Sequence, residues 1–127
     1  MPITKVFSTE IERVSILDEH GKFDEKLGKG LIPDADLLRL YESMVACRHL
    51  DEVAFRLQRS GRMGTYPQNM GQEANSLGAA YALNKDDWLV PCYRENCGLF
   101  WRGVPMELIL LHWMGDERGN AIPRELY

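Results

Sequence analysis

The stretch Leu89–Gly103, LVPCYRENCGLFWRG, sets Tyr93 and Arg94 between two cysteines inside an otherwise apolar run. Three chemistries could use such a cluster. A metal site is the first, but Cys92 and Cys97 have no second pair, and His20, His49 and His112 are scattered. Structural zinc needs four convergent ligands at tighter spacing, so no metal ligand is assigned. A nucleophile is the second. No Gly-x-Ser-x-Gly elbow occurs, and a reactive thiol needs a neighbouring base. Cys47, Cys92 and Cys97 therefore read as small, soft core residues. The third is anion binding. Pro91 ends an extended piece and a helix begins near Glu95, where backbone N–H groups attract phosphate. Arginine offers a planar fork of donors, and tyrosine adds an O–H. An arginine near a helix start is also an ordinary surface feature, so residue types alone leave both readings open. Glu73, at the start of another helix, is favoured there by the helix dipole. No residue is assigned as catalytic.

The bulk numbers narrow the class. The 127 residues are enough for one small domain with a modest core. Fifteen basic and nineteen acidic residues give a net charge of −4, which argues against a general nucleic-acid binder. No apolar run reaches the length of a membrane span. The start, MPITKVFSTEIERV, lacks a secretory pattern, and three cysteines suit reduced thiols. The expected compartment is the cytoplasm.

The elements that must position Tyr93 and Arg94 are mostly helices. Residues 1–33 read as an extended N-terminal arm and linker, with a possible turn at His20-Gly21 and breakers at Gly28, Gly30 and Pro33. Residues 34–127 read as the helical part. A long helix follows Asp34, its capping residue, with Leu37, Leu40, Tyr41, Met44, Cys47, Leu50, Ala54 and Leu57 along one face. Ser60-Gly61 stops it. Arg48, Arg56, Arg59 and Arg62 fall off that face and read as a solvated flank. The loop GRMGTYPQNMG fits neither a Walker loop nor a dinucleotide fingerprint. Asn69 with Gln72 resembles a capping pair for the next helix, whose stripe is Met70, Ala74, Leu77, Gly78 and Tyr81. Gly78, Ala79 and Ala80 would allow close helix approach. WLVP reads as a short buried strand or extended piece. Helices over 95–102 and 105–114 follow, the second bracketed by Pro105 and Gly115.

Read in order, LQRSGRMGTYPQNMGQEANSLGAAYAL, DDWLVPCYREN and FWRGVPMELILLHWMGDERGN resemble one family. It is the alpha subunit of the thiamine-diphosphate-dependent decarboxylating component of 2-oxo acid dehydrogenase complexes, most like the bacterial pyruvate type. The resemblance runs from about Leu37 to Asn120. It implies the helical N-terminal part of an α/β thiamine-diphosphate-binding fold. It also implies that Tyr93 and Arg94 contact the diphosphate end of thiamine diphosphate. Tyr66 and Gln68, in a loop near the active-site entrance of such enzymes, become candidates for the substrate channel. Pro67 stands where some pyruvate-type members have a substrate-binding histidine, a departure that bears on this loop.

The chemistry so implied is oxidative decarboxylation of a 2-oxo acid, pyruvate first, on the route from glycolysis to acetyl-CoA. The acyl unit passes to a lipoyl group on the acyltransferase core. The resemblance also implies a beta subunit that shares the cofactor. The family's magnesium motif, Gly-Asp-Gly followed by Asn-Asn, is not in this sequence, so the magnesium ligands are expected after Tyr127. The chain reads as the opening part of an alpha subunit. It is expected to lack decarboxylase activity alone, and to self-associate through apolar faces that an absent sheet would cover. The alternatives are a branched-chain 2-oxo acid or acetoin dehydrogenase alpha subunit, or a non-catalytic helical module that binds a partner.

Overall fold

Long stretches of good helix formers, interrupted at single glycines and prolines, leave little for a sheet to be built from, and helix dominates the outcome. The computed structural model describes residues 2–127. The mostly α expectation holds among these. The helices are α1 (Glu25–Gly28), α2 (Asp34–Arg59), α3 (Glu73–Ala82), α4 (Asn96–Trp101) and α5 (Met106–Met114), with 3₁₀ turns at Glu117–Asn120 and Arg124–Leu126. The chain divides into two compact units, Met1–Asp34 and Ala35–Tyr127.

In the first unit, residues 2–15 are exposed and carry no regular structure. Leu17 and Phe23 form an antiparallel bridge, and Gly21 takes the positive φ that its turn requires. Asp18 Oδ1 accepts from the N–H groups of His20 and Lys22. The arm-and-linker reading of 1–33 misses one turn of helix. Asp24 caps Leu27 N–H, so one turn of helix forms through Gly28.

The second unit is organised by α2. Its buried line is Leu40, Cys47, Leu50, Asp51 and Ala54, steps of seven, three, one and three residues on one face. The N-terminal end of the proposed stripe is not covered, since Leu37 and Tyr41 are 54% and 63% exposed. Periodicity gives the face of a helix, not the extent of what packs on it. Asp34 is the first helical residue, and Gly61 ends the helix at positive φ.

On α3 the buried face is Glu73, Ser76, Leu77 and Ala80, while Met70, Ala74 and Gly78 are exposed. The capping pair expected of Asn69 and Gln72 does not form. Gln72 makes no side-chain cap, and the Asn69 side chain turns inward toward Tyr66. The close approach of α3 and α4 sets Ser76 and Ala80 against Gly98, as expected of Ala80 but not of Gly78 and Ala79. Gly98 N–H donates to Ser76 Oγ at 2.8 Å, and a Cβ on Gly98 would lie 3.2 Å from that oxygen. WLVP forms no strand; Leu89 alone of its apolar residues is buried, and Trp88 and Val90 are exposed.

The core under α4 and α5 is Leu50, Leu89, Leu99, Val104, Ile109 and Ile122. Pro105 and the left-handed Gly115 bracket α5, as their chemistry dictates. Beyond it, buried Gly119 sits against the last turn of α5. A Cβ there would fall on the backbone of His112 and Leu111, which cannot move aside as a side-chain tip could. Gly119→Ala is expected to cost about 1–3 kcal/mol by overpacking. Urea unfolding followed by circular dichroism checks it, and an unchanged midpoint would show that the contact relaxes freely.

Candidate functional site

The loop between α2 and α3 is short of secondary structure but not of anchors. Asn69 N–H donates to Asp51 Oδ1 at 2.8 Å. Gly71 N–H donates to Glu73 Oε2 at 3.0 Å, and Arg48 Nε donates to Glu73 Oε1 at 2.5 Å. Gln68 O accepts from Arg94 Nε at 3.1 Å. Three of these, at Gln68 O, Asn69 N–H and Gly71 N–H, satisfy backbone groups that a loop would otherwise leave to water. Arg48 is exposed, as a solvated flank would be, and in addition pairs with a buried carboxylate; Arg56, Arg59 and Arg62 are exposed as well.

The Arg48 guanidinium, followed by the N–H of Glu73 itself and that of Gly71, holds the Glu73 carboxyl below its ordinary value near 4.5. A depressed folded-state pKa makes the unfolded chain bind protons first. The stabilisation is complete above pH 4.5 and is lost as pH falls through the folded value. Thermal unfolding followed from neutral pH downward should show this acid loss. Glu73→Gln should lower stability at neutral pH and flatten the profile below pH 4.5. A variant profile as steep as that of the wild type would remove Glu73 from the explanation.

The segment before α4 carries Tyr93 and Arg94. Their backbone N–H groups, with that of Cys92, all donate to one atom, Glu95 Oε2, at 3.0, 3.1 and 2.8 Å. The expectation that these N–H groups receive a phosphate is therefore corrected: a carboxylate of the same chain already fills that role. The side chains remain. Arg94 is half-buried, its Nε is bound to Gln68 O, and its guanidinium carbon lies 5.1 Å from the centre of the Tyr93 ring. Its two terminal nitrogens donate to no group among the described residues. Tyr93 is exposed. The pair can present a fork and a phenol to an anion without giving up any internal hydrogen bond. A cavity of about 220 Å³ adjoins Tyr93, bounded also by Glu95, Asn96, Ile109, His112 and Trp113 among others.

The four candidates occupy different environments. Arg94 brings Gln68 to Tyr93 through the Gln68 carbonyl, not its amide side chain. Tyr66 lies in the core, 5% exposed, edge-on to Trp113 at 5.7 Å. Burial first, and then the nearby Asp51 carboxylate, raise its phenol above the ordinary value of 10. Asp51, Asn69 and Asn96 are buried around it, and Asn96 Oδ1 accepts from Trp113 Nε1 at 3.1 Å. Asp51 Oδ2, Asn69 Oδ1 and Asn96 Nδ2 make no short hydrogen bond. The sequence reading passed over Asp51, Asn96 and Glu95. Only Glu95 had a local signal, an acidic residue directly after a proline-led turn.

Cys47 and Cys97 are buried side by side. Their mutual hydrogen bond, then burial, push the Cys47 thiol up, which keeps it unreactive. Among the described residues, no group of three or more His, Cys, Asp or Glu side chains is placed to hold a metal ion. No helix there is long and apolar enough to cross a membrane.

The model of the family "Dehydrogenase E1 component" matches residues 41–126. The chain is 42% identical over 106 residues to a protein of Acholeplasma laidlawii named pyruvate dehydrogenase E1 component subunit alpha, covering 84% of this chain and 31% of that one. It is 38% identical over 118 residues to a protein of the same name in Staphylococcus aureus strain Mu50, covering 91% and 31%. The corresponding protein of Staphylococcus epidermidis is 37% identical over 118 residues, with the same coverage. The chain thus spans 31% of the length of these curated relatives.

Proposed function

The chain belongs to the dehydrogenase E1 component family, and from that premise we propose that it serves as part of a pyruvate dehydrogenase alpha subunit. In this reading Tyr93 and Arg94 hold the diphosphate end of thiamine diphosphate. The observation that carries it is the state of Arg94. Its Nε is fixed on the Gln68 carbonyl while its two terminal nitrogens stay available beside the Tyr93 phenol. A preorganised arginine fork beside a second donor fits a multiply charged phosphate group. The fit is through side chains, because Glu95 holds the local backbone donors. The relatives' printed names support the pyruvate type over the branched-chain and acetoin alternatives.

The chemistry that bound thiamine diphosphate supplies is stabilisation of the carbanion left when carbon dioxide departs from a 2-oxo acid. This chain's share is positional. Arg94 and Tyr93 neutralise and orient the anionic end. The anchored loop 64–71 walls the approach, with Gln68 at its inner side and Tyr66 beneath it as support. No magnesium ligand is assigned to these residues. The partners proposed are a beta subunit and the lipoyl acyltransferase core, in the cytoplasm. The exposed Leu37, Leu38, Tyr41 and Val45 of α2 provide apolar surface for subunit contact or self-association.

The test is reconstitution. An alpha subunit carrying these residues, mixed with its beta subunit, should bind thiamine diphosphate and decarboxylate pyruvate in preference to branched-chain 2-oxo acids. Preference for a branched-chain acid, or cofactor binding that ignores Tyr93 and Arg94, would sink the reading.

A further inference from the structure

The peptide group between Gln68 and Asn69 is bonded at both ends to ionisable side chains of other segments. Its N–H donates to Asp51 Oδ1 at 2.8 Å, and its C=O accepts from Arg94 Nε at 3.1 Å. No cis peptide occurs among the described residues, so this N–H and C=O point in opposite directions on one rigid plane. Asp51 and Arg94 therefore stand at opposite edges of a single planar unit. We propose that Asp51 is a positioning residue for Arg94, acting through this peptide; the inference deepens the diphosphate reading above and, in its functional half, rests on it.

Three observations support the assignment. Asp51 is fully buried on α2, and a carboxylate removed from water must be compensated by hydrogen bonds. One of its oxygens spends itself on the loop amide rather than on a cation. Second, an anion on the N–H side polarises the peptide and makes its carbonyl a better acceptor, so the two bonds strengthen each other. Third, the guanidinium is held at Nε alone. Fixing that one atom sets the direction of the two remaining nitrogens, because the group is planar. Asp51 touches neither the guanidinium nor the candidate anion site, yet it determines where the fork points.

Sign separates positioning from simple electrostatics. Asp51→Asn removes a negative charge near a candidate anion site. By Coulomb's law alone that change would tighten anion binding. Positioning requires the opposite. Asn keeps one oxygen that can accept from Asn69 N–H, and Asp51→Ser keeps a smaller one.

The experiment uses the isotope-labelled chain, as wild type, Asp51→Asn and Asp51→Ser, read by NMR. The Arg94 Nε–H resonance is followed first, without ligand. Inorganic diphosphate is then titrated in. In both variants, Arg94 Nε–H should exchange with water about tenfold faster, and the diphosphate dissociation constant should rise about threefold to tenfold. Unchanged Nε–H exchange, or tighter diphosphate binding, would overturn the proposal. So would loss of the fold in both variants, which would assign Asp51 to the fold alone. If diphosphate leaves Arg94 of the wild type unshifted, the diphosphate reading fails, while the Nε–H comparison still decides whether Asp51 holds Arg94.

Discussion

Arg94→Ala, in an alpha subunit assembled with its beta subunit, is expected to weaken thiamine diphosphate binding about a hundredfold, near 2.7 kcal/mol. The size follows from what is lost. Two charge-assisted hydrogen bonds to phosphate oxygens are each worth about 1.5–3 kcal/mol, and water recovers part of that in the truncated site. Arg94→Lys retains the charge but cannot present a fork while also reaching the Gln68 carbonyl, so an intermediate loss of about tenfold is expected. Because the contact is to the part of the cofactor that does not react, it is made equally before and during the chemistry. Turnover at saturating cofactor should therefore change far less than the cofactor dissociation constant. Titration of cofactor against activity separates the two. A large fall in turnover with unchanged affinity would place Arg94 at the reacting centre instead.

Ile109→Ala is expected to destabilise the chain by about 4 kcal/mol, in the upper half of the range of about 2–5 kcal/mol for such truncations. Ile109 is 1% exposed in the core that seats α4 and α5. It also borders the cavity of about 220 Å³ beside Tyr93 and Glu95. Truncation would enlarge a space already present, and the cost rises with the void that remains. A domain holds about 5–15 kcal/mol in all, so the variant should be near its unfolding limit at physiological temperature. Urea unfolding should show a large fall in midpoint with an unchanged slope. Ile109→Val should lose only about 1 kcal/mol. A loss below about 1 kcal/mol for the alanine variant would mean that the cavity collapses around it.

The parts of this fold that were legible in the sequence are those fixed by neighbours in the chain. Pro105 and Gly115 bracket α5 because a fixed φ and a left-handed φ are properties of those residues themselves. Gly61 ends α2 for the same reason. What escaped depends on distant partners. Asp51 drew no reading because its partner, the Asn69 amide, lies 18 positions away. Arg48 is exposed as read, but its partner Glu73 lies 25 positions on and was not legible. Leu37 and Tyr41 carry the same helical period as Leu40 and Cys47, but nothing in that period tells which turn will be covered. WLVP had the apolar composition of a strand, but among the described residues no second strand pairs with it.

The candidate site divides the same way. Tyr93 and Arg94 were identifiable by residue type and family resemblance. That Glu95 takes their backbone N–H groups, leaving the side chains as the available donors, depends on how the turn before α4 folds. Tyr66 illustrates the converse. The family resemblance made it a candidate for the substrate channel, while its ring packs on Trp113 in the core.

The direct test of the diphosphate grip is a phosphorus–nitrogen distance. An alpha subunit with isotope-labelled arginine, assembled with its beta subunit and loaded with thiamine diphosphate, can be read by solid-state NMR dipolar recoupling. A grip by Arg94 predicts strong coupling of its terminal nitrogens to the diphosphate phosphorus, lost in Arg94→Lys. Coupling from a different arginine, with Arg94 silent, would contradict it and return Arg94 to the role of a loop anchor.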